Sequence, residues 1–503
     1  RSNGFRENVF LDAEDSNKRR EESLRLKMRY VAPNGLLLKG TLFRSDADNG
    51  YDMWAPDNND ELFTYTNQPG DDHQTTNAAS IRAEKPLSKQ LNIISISTYS
   101  QTDLDYSYDS DWGNDAYWKA EPYLVDGWQY EYYDRTQRQR TSLSQEVRLE
   151  SDAILLGLYT RTVNENDDAT GYLFSGSSDG LQADFDMTNV ATYGQLERQL
   201  AEDIKLTFSA RLERSEIKYD GMTYKYDDPD SVVVSADVAQ WLPGGKISLS
   251  WQDNKGSSAY AAIARGYRAG GINQHPKLSS DNRPYDPEYM LNFEFGLRRA
   301  TQRYRLALVS FYALRDNQQV SLSSQQDPNN PSSFFFFTAN ASSGYNRGVE
   351  LEGKYRVLSG LDVFASLGFL DSSVDEYSFE SAQGQRQNLG GRAAAHAPQW
   401  GTQIGGSYEH SEGFFARASW SFMDRFYFSD SHNKRAESYK ILNGSVGFNK
   451  GAWELMLWGR NLLDERYAVR GFYFGLEPPG YTDTLYLSYG DPRQVGLSLS
   501  ARF

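Results

Sequence analysis

Hydrophobic and polar residues alternate with a period of two along most of this 503-residue chain. The closing segment QVGLSLSARF is typical, because Val495, Leu497 and Leu499 alternate with glutamine, glycine and serine. Side chains two positions apart lie on the same face of an extended strand. Amphipathic helical periodicity never lasts more than a turn or two. The pattern predicts an all-β protein whose strands each have one apolar and one polar face.

Nineteen strands are predicted, and their connections alternate between tight turns and long segments. The strands span about 23–31, 36–46, 75–85, 90–110, 137–151, 153–164, 186–200, 203–219, 242–252, 257–270, 286–300, 303–321, 334–357, 360–377, 396–410, 413–429, 438–450, 452–463 and 493–503. The long connections lie near 47–74, 112–136, 165–185, 220–241, 271–285, 322–333, 378–395, 430–437 and 464–492. A meander with its long connections at one end is typical of outer-membrane barrels. The predicted fold class is therefore an antiparallel transmembrane β-barrel.

Two further features fit a membrane barrel. The sequence has no run of 18 or more apolar residues, so it predicts no transmembrane helix. Aromatic residues cluster at strand ends, among them Tyr106, Tyr108, Phe428 and Trp453, as an interfacial girdle requires. Ordinary strand propensity also enriches aromatic residues, so the girdle is supporting evidence only.

The direction of the strands predicts that the barrel is incomplete. The first and the last predicted strand both run from the long-connection end to the short-turn end, so pairing them would create a parallel seam. Bacterial single-chain barrels are antiparallel with even strand numbers. We therefore expect further strands upstream of Arg1, and RSNGFR (1–6) is interpreted as the outer end of a preceding strand.

Several segments resemble TonB-dependent outer-membrane receptors. ARGYRAGGIN (264–273), PEYMLNFEFGLRR (287–299), NRGVELEGKY (346–355) and NLLDERY (461–467) resemble barrel segments of that family. DNNDELFTYTNQPGDD (57–72) resembles an early extracellular loop of an iron-complex branch. The resemblance covers essentially the whole chain.

The resemblance implies a 22-stranded barrel, of which residues 1–503 supply the fourth to the last strand. It also implies an N-terminal plug and a TonB-contacting segment, neither of which is recognised in these residues, and a Gram-negative outer-membrane location with many membrane passes. In that family the terminal aromatic residue, here Phe503, is part of the signal read by the barrel-assembly machinery.

Composition and charge narrow the function. Aromatic residues make up 14% of the chain, and the formal net charge is −16, so nucleic acid is not an expected partner. Cysteine is absent, and the five histidines lack metal-ligand spacing. No hydrolase, nucleotide-binding or zinc-protease motif occurs. We expect no enzyme activity, no metal site and no covalently bound cofactor.

Candidate ligand contacts are aromatic residues of the long connections and arginines near the lumen. The aromatic candidates offer rigid contact area: Tyr51, Trp54, Tyr65, Trp112, Trp118, Trp128, Phe472 and Tyr473. The arginine candidates suit carboxylate or catecholate oxygens: Arg265, Arg268 and Arg283. Alternatively, the aromatic residues pack the loops against one another, and the arginines pair with carboxylates in the lumen.

The predicted function, by resemblance, is TonB-dependent import of a ferric siderophore or a similar iron complex, which is the transported ligand. Cobalamin, haem or an oligosaccharide remains an alternative ligand, with haem least favoured because few histidines lie in the loops. A passive porin and an adhesive barrel remain alternative classes. The expected partners are the lipid bilayer, lipopolysaccharide, the TonB complex and the barrel-assembly machinery, and the barrel is expected to be monomeric.

Overall fold

The computed structural model describes residues 1–124, 130–173, 176–177, 180–225, 228–274, 283–325, 334–380 and 386–502. This part of the chain contains one short helix, α1 (Asp115–Lys119), and 32 strands numbered in chain order. The strands are β1 (Glu7–Asn8), β2 (Glu21–Val31), β3 (Leu37–Tyr51), β4 (Phe63–Thr64), β5 (Gly70–Pro86), β6 (Asn92–Asp109), β7 (Tyr132–Glu150), β8 (Ile154–Leu173), β9 (Gly176–Ser177), β10 (Gly180–Ala201), β11 (Ile204–Lys225), β12 (Asp228–Gln252), β13 (Ser257–Arg268), β14 (Gly271–Ile272), β15 (Pro284–Tyr285), β16 (Glu288–Ala300), β17 (Tyr304–Asp316), β18 (Gln319–Gln325), β19 (Phe334–Asn340), β20 (Ser343–Leu358), β21 (Leu361–Val374), β22 (Tyr377–Glu380), β23 (Arg386–Leu389), β24 (Trp400–Glu409), β25 (Phe414–Met423), β26 (Phe426–Tyr427), β27 (Arg435–Ala436), β28 (Tyr439–Lys450), β29 (Trp453–Arg460), β30 (Ala468–Phe474), β31 (Thr484–Tyr489) and β32 (Gln494–Ala501). Among these residues, no helix is long and apolar enough to cross a membrane.

One large antiparallel sheet forms the wall of the fold. Within the described ranges it contains nineteen long strands and the two-residue β9. The long strands pair in chain order as β2, β3, β5, β6, β7, β8, β10, β11, β12, β13, β16, β17, β20, β21, β24, β25, β28, β29 and β32. Each corresponds to one of the nineteen predicted strands. The all-β, antiparallel meander is therefore confirmed.

The two faces of the wall differ as the alternation predicts. On β32, Val495, Leu497 and Leu499 are 64–69% exposed on the outer face. Ser498 of the same strand points inward, where its hydroxyl oxygen accepts a hydrogen bond from the indole Nε1 of Trp458 at 3.0 Å. An outward apolar band and an inward polar lining are the arrangement that lipid outside and water inside require.

Several strands are longer than predicted, and four of them fill most of two predicted connections. Residues 165–185 and 220–241 are predicted as long connections, but β8, β10, β11 and β12 extend through most of both segments. In these extensions the lipid-facing pattern ends, because apolar side chains such as Ala183, Phe185 and Val234 pack in a cluster with Tyr219 and Ile272, while the backbone pairing continues. Polar cross-strand contacts line the extension, such as Ser235 to Asp220 at 2.6 Å.

Several predicted strands are divided in two. The predicted strand 303–321 is β17 followed by β18, and 334–357 is β19 followed by β20. Asn317, at the first break, has a φ of +56°. The β18–β19 hairpin leaves the wall there, and its Phe334 ring contacts those of Phe472 and Phe474 on β30. The hairpin therefore crosses toward connections that follow β29, and the unbroken residue pattern gave no sign of the division.

The first twenty residues lie at the end of the sheet that carries the long connections, which we call the long-connection end. Ser2 forms an antiparallel bridge with Arg19, just before β2 begins. β1 pairs with β4 in the first long connection. In the described part of the chain, β2 pairs only with β3, and β32 pairs only with β29 in the wall. These two edge strands run in the same direction.

Candidate aromatic cavity at the long-connection end

An aromatic core joins the long connections to one another. It contains buried residues that follow β3, β6 and β29 and residues that begin β7 and lie in β31: Trp54, Trp112, Trp118, Tyr130, Tyr132, Phe474, Leu476 and Tyr486. These connections are distant in sequence and meet only when the sheet curves. Their burial fixes several loops in one arrangement, because large aromatic side chains dominate the energetics of such contacts.

One side of this core faces a cavity of about 630 Å³. Its lining includes eleven aromatic residues from the wall and from five connections: Tyr51, Trp54, Tyr106, Tyr108, Trp112, Tyr132, Phe334, Phe336, Phe428, Phe472 and Phe474. The volume is within the range of pockets that hold small-molecule ligands, about 300–1,000 Å³. The cavity is therefore large enough for a metal complex of drug-like size.

The rings that line the cavity also contact one another. Trp54 stacks on Trp112 with ring centroids 5.5 Å apart and an interplanar angle of 19°. The ring of Phe472 lies edge-on to both, at 4.8 Å from Trp54 and 5.9 Å from Trp112. On the strands of the wall, the Tyr51 ring of β3 lies 5.1 Å from the Tyr106 ring of β6. Each ring restrains its neighbours, so these walls are preorganised.

Buried carboxylates hold the second long connection in place. Asp109 Oδ1 accepts hydrogen bonds from the backbone N–H groups of Asp111 and Trp112, at 3.1 and 2.9 Å. Asp111 accepts from the Trp118 indole at 2.9 Å and from the Tyr132 backbone N–H at 2.7 Å. Burial raises the pKa of Asp111 to about 6. Trp112 itself has a φ of +53°, a strained conformation that these contacts maintain.

The helix α1 positions Trp118 beneath the cavity. Asn114 Oδ1 caps its N-terminus by accepting from the N–H groups of Ala116 and Tyr117, at 2.9 and 3.0 Å. Trp118 is 1% exposed and does not line the cavity. This tryptophan therefore supports the loop from below.

A third buried carboxylate, Asp52, attaches the first residues of the chain to the first long connection. Asp52 Oδ2 accepts from Asn8 Nδ2 at 3.1 Å and from the Thr64 hydroxyl at 2.7 Å. Asn8 Nδ2 also donates to the Thr66 carbonyl oxygen at 2.9 Å. Burial raises the pKa of Asp52. Trp54, two residues along, is held near this anchor.

Besides the tyrosines, three titratable side chains also line the cavity. They come from the segment before β24, the connection after β25, and β30, and are those of His396, Asp430 and Arg470. Burial, followed by the neighbouring Arg470, lowers the pKa of His396. In the described part of the chain, no group of three or more histidine, aspartate or glutamate side chains is arranged to hold a metal ion.

The predicted aromatic candidates are divided by the structure. Tyr51, Trp54, Trp112 and Phe472 line the cavity together. The other described aromatic candidates do not line it. Tyr65 donates to Asp57 Oδ2 at 2.6 Å and packs on Tyr117, while Trp118 is buried in the loop core and the Tyr473 ring contacts His432. Trp128 and Phe503 lie outside the described residues.

None of the three arginine candidates lines the cavity. The Arg265 guanidinium donates to the Pro243 carbonyl oxygen at 2.6 Å and lies over the Tyr289 ring. Arg268 is exposed at the end of β13, and Arg283 is 7% exposed. A contact of any of them with ligand stays a prediction.

Several lining residues were missed or assigned differently. Their position at a strand end predicts that Tyr106 and Tyr108 belong to a membrane girdle, but both line the cavity. Even-numbered residues of β6 such as Leu104, Tyr106 and Tyr108 lie on the inward face, whereas the exposed Tyr99 lies on the outward face. The run FFFF at 334–337 was a usable signal for an unusual aromatic site. Nothing in the sequence singled out Arg470, since its position in the cavity depends on the β30–β31 hairpin.

Comparisons with known proteins identify related sequences and folds. A family model described as "TonB dependent receptor-like, beta-barrel" matches residues 19–462. The pesticin receptor of Yersinia pestis is 24% identical over 233 residues, which are 46% of this chain and 32% of that receptor. The pesticin receptor of Yersinia enterocolitica is 25% identical over the same shares. The chain thus spans about a third of the length of these curated relatives.

Solved structures share the fold at low sequence identity. The ferric yersiniabactin uptake receptor FyuA from Yersinia pestis matches with a TM-score of 0.78 and 16% identity, over 99% of this chain and 73% of that one. The siderophore receptor PiuA from Acinetobacter baumannii matches with a TM-score of 0.73 and 12% identity, over 96% and 74%. A copper transporter, OprC, matches with a TM-score of 0.67 and 13% identity, over 96% and 74%.

Proposed function

Because the chain belongs to the TonB dependent receptor-like β-barrel family, we propose that it forms the barrel of an outer-membrane receptor that imports a ferric siderophore or a similar iron complex. The observation that carries this proposal is the aromatic cavity at the long-connection end. In barrels of this kind the long connections are extracellular. The cavity would therefore lie on the side from which an external ligand arrives.

The cavity has both the volume and the restrained walls that suit capture of a small ligand. Its volume is that of a small-molecule site, and its aromatic walls are restrained by mutual contacts and by the buried carboxylates Asp109 and Asp111. Preorganised walls reduce the entropy lost on binding. Tyr51, Trp54, Trp112 and Phe472 are the predicted residues that we propose as ligand contacts, and we add Phe334 and Arg470.

The names of similar proteins favour a metal complex as the ligand. Two of the solved structures are receptors for ferric yersiniabactin and for a siderophore, and another is a copper transporter. Others are a ferric citrate transporter and a ferric-catecholate import receptor. Iron complexes are scarce and too large for passive pores, so a high-affinity site on the outside is useful for them.

Two further proposals concern how the barrel closes and how transport is coupled to energy. The edge strands β2 and β32 run parallel to each other, so an odd number of further strands between them would give an antiparallel seam. We propose that three upstream strands close a 22-stranded barrel, and that a plug upstream of them fills the lumen and contacts the TonB complex. The barrel-assembly machinery, lipopolysaccharide and a monomeric state are proposed on family grounds.

Uptake of radioactive iron tests the proposed function. The protein would be expressed in a host without its own iron-complex receptors, and cells would be supplied with a panel of ferric siderophores. We expect uptake of at least one complex, which disappears in a matched host without TonB. Uptake that persists without TonB, together with a large single-channel conductance, would instead indicate a passive porin.

A further inference from the structure

The aromatic cavity carries very few charges. Among the twenty lining residues that belong to the described ranges, only Asp430 and Arg470 are charged at neutral pH, because the lowered pKa of His396 favours its neutral imidazole. The two charges cancel formally. A ligand that enters this cavity therefore meets a site whose own net charge is close to zero.

The two charges are not equally available to a ligand. Asp430 Oδ1 accepts from the Ala395 backbone N–H at 3.1 Å, and Oδ2 accepts from the Ser321 backbone N–H at 3.4 Å. Its carboxylate thus joins two segments of the cavity wall. Arg470 is exposed, and its guanidinium makes no hydrogen bond or ion pair with any residue of the described ranges. The single charge free to bind a ligand is positive.

The surroundings disfavour a polyanion. The formal net charge of the chain is −16, and such a field lowers the local concentration of negatively charged ligands. Within the cavity, the aromatic walls offer a charged ligand few hydrogen bonds, so a charge that is left uncompensated there is costly. One guanidinium can compensate one negative charge, whereas a complex of charge −3 would keep two beside Asp430.

We infer that the ligand is an iron(III) complex with planar aromatic chelating rings and a net charge of zero or −1, whose anionic group binds Arg470. This inference rests on the proposed function and narrows its substrate class. The rings of the complex pack against the aromatic lining of the cavity, which includes Trp54, Trp112, Phe472, Tyr51 and Tyr106. Ferric tris-catecholates and ferric citrates carry too much negative charge for this site.

Calorimetric titration with four defined complexes tests the inference on the protein purified in detergent. The aromatic complexes are iron(III) tris(8-hydroxyquinolinate), which is neutral, iron(III) bis(N-salicylidene-glycinate), of charge −1, and iron(III) tris(catecholate), of charge −3. A neutral iron(III) trihydroxamate is the non-aromatic control. We expect the first two to bind at least tenfold more tightly than the other two.

Two variants separate the role of Arg470 from a general effect of charge. Arg470→Gln should weaken binding of the −1 complex about tenfold and that of the neutral aromatic complex less than twofold, since a charge-assisted hydrogen bond is lost only with the former. Arg425→Gln is the matched control, because Arg425 is exposed at the same end of the sheet but does not line the cavity. It should change neither affinity.

The outcomes distinguish the inference from the proposed function. Equal binding of the −3 complex, or preference for the trihydroxamate, would overturn the substrate class while the receptor function stands. An equal loss for both aromatic complexes in Arg470→Gln would overturn the role of Arg470. Failure of all four complexes to bind, combined with no iron uptake in cells, would count against the receptor function itself.

Discussion

Removal of the Trp54 side chain is the most informative single perturbation of the cavity. Trp54 is 7% exposed, stacks on Trp112 at 5.5 Å and contacts Phe472 at 4.8 Å. An aromatic pair contributes about 0.5–1.5 kcal/mol beyond area burial. Trp54→Ala loses two such pairs, about 1–3 kcal/mol, along with the ligand contact that Trp54 supplies.

The expected result is a fall in affinity for the aromatic iron complexes. If the lost ring contacts are what keep the wall in its binding arrangement, a loss of about 1–3 kcal/mol corresponds to a roughly 5- to 150-fold weaker Kd. Isothermal titration calorimetry measures this without depending on tryptophan fluorescence, which the substitution itself changes. Retention of the heat-modifiable electrophoretic mobility of the barrel verifies that the variant is folded.

A matched control shows whether position or merely the loss of a tryptophan matters. Trp453 is 55% exposed on β29, at the short-turn end of the sheet. Trp453→Ala should leave the Kd unchanged within twofold. A folded Trp54→Ala protein that binds as tightly as the unsubstituted protein would refute the assignment of the cavity as the ligand site.

Three further predictions concern the loops, the wall and the turns. Burial raises the pKa of Asp111 to about 6, above its value in the unfolded chain, so the folded loop is most stable below about pH 4 and loses about 3 kcal/mol of stability as the pH rises to 6. Asp111→Asn should flatten this pH dependence, measured as the hydrogen-exchange protection of the loop. An unchanged slope in the variant would contradict the prediction. Leu497→Arg on the lipid face should lower the free energy of unfolding in vesicles by about 2–4 kcal/mol, whereas an equal effect of Ser500→Arg on the opposite face would refute the assignment of faces. Gly413 has a φ of +98°, and a Cβ added there would lie 1.9 Å from a carbonyl oxygen, so Gly413→Ala should destabilise the protein by about 1–2 kcal/mol. Gly451 has a φ of +61°, and a Cβ added there would have no atom within 4 Å. Gly451→Ala should therefore lower the free energy of unfolding less than Gly413→Ala does in the same measurement.

The wall of the fold could be predicted from the sequence because lipid imposes a strict pattern. Residues such as Leu24 and Leu497 must be apolar where they face lipid, and their neighbours on each strand face the lumen. Where the strands leave the lipid, this constraint ends. The extensions of β8, β10, β11 and β12 were therefore predicted as loops, although their backbones remain paired.

The cavity was less predictable because it depends on how distant connections meet. The aromatic residues Trp54, Trp112 and Phe472 could be named as candidates from their position in long connections. Their convergence could not be inferred, because it requires the curvature of the whole sheet. Arg470 was not named, since nothing near it in the sequence distinguishes it from the other arginines of the chain.

A structure of the protein with a bound iron(III) complex, with the iron located by its anomalous scattering, tests directly whether the aromatic cavity is the ligand site. We expect one strong iron peak inside the aromatic cavity, near Trp54, Trp112 and Phe472, with the Arg470 guanidinium within hydrogen-bond distance of an anionic ligand atom. An iron peak elsewhere in the lumen or on the loops, with this cavity unchanged and empty of ligand, would contradict the central claim.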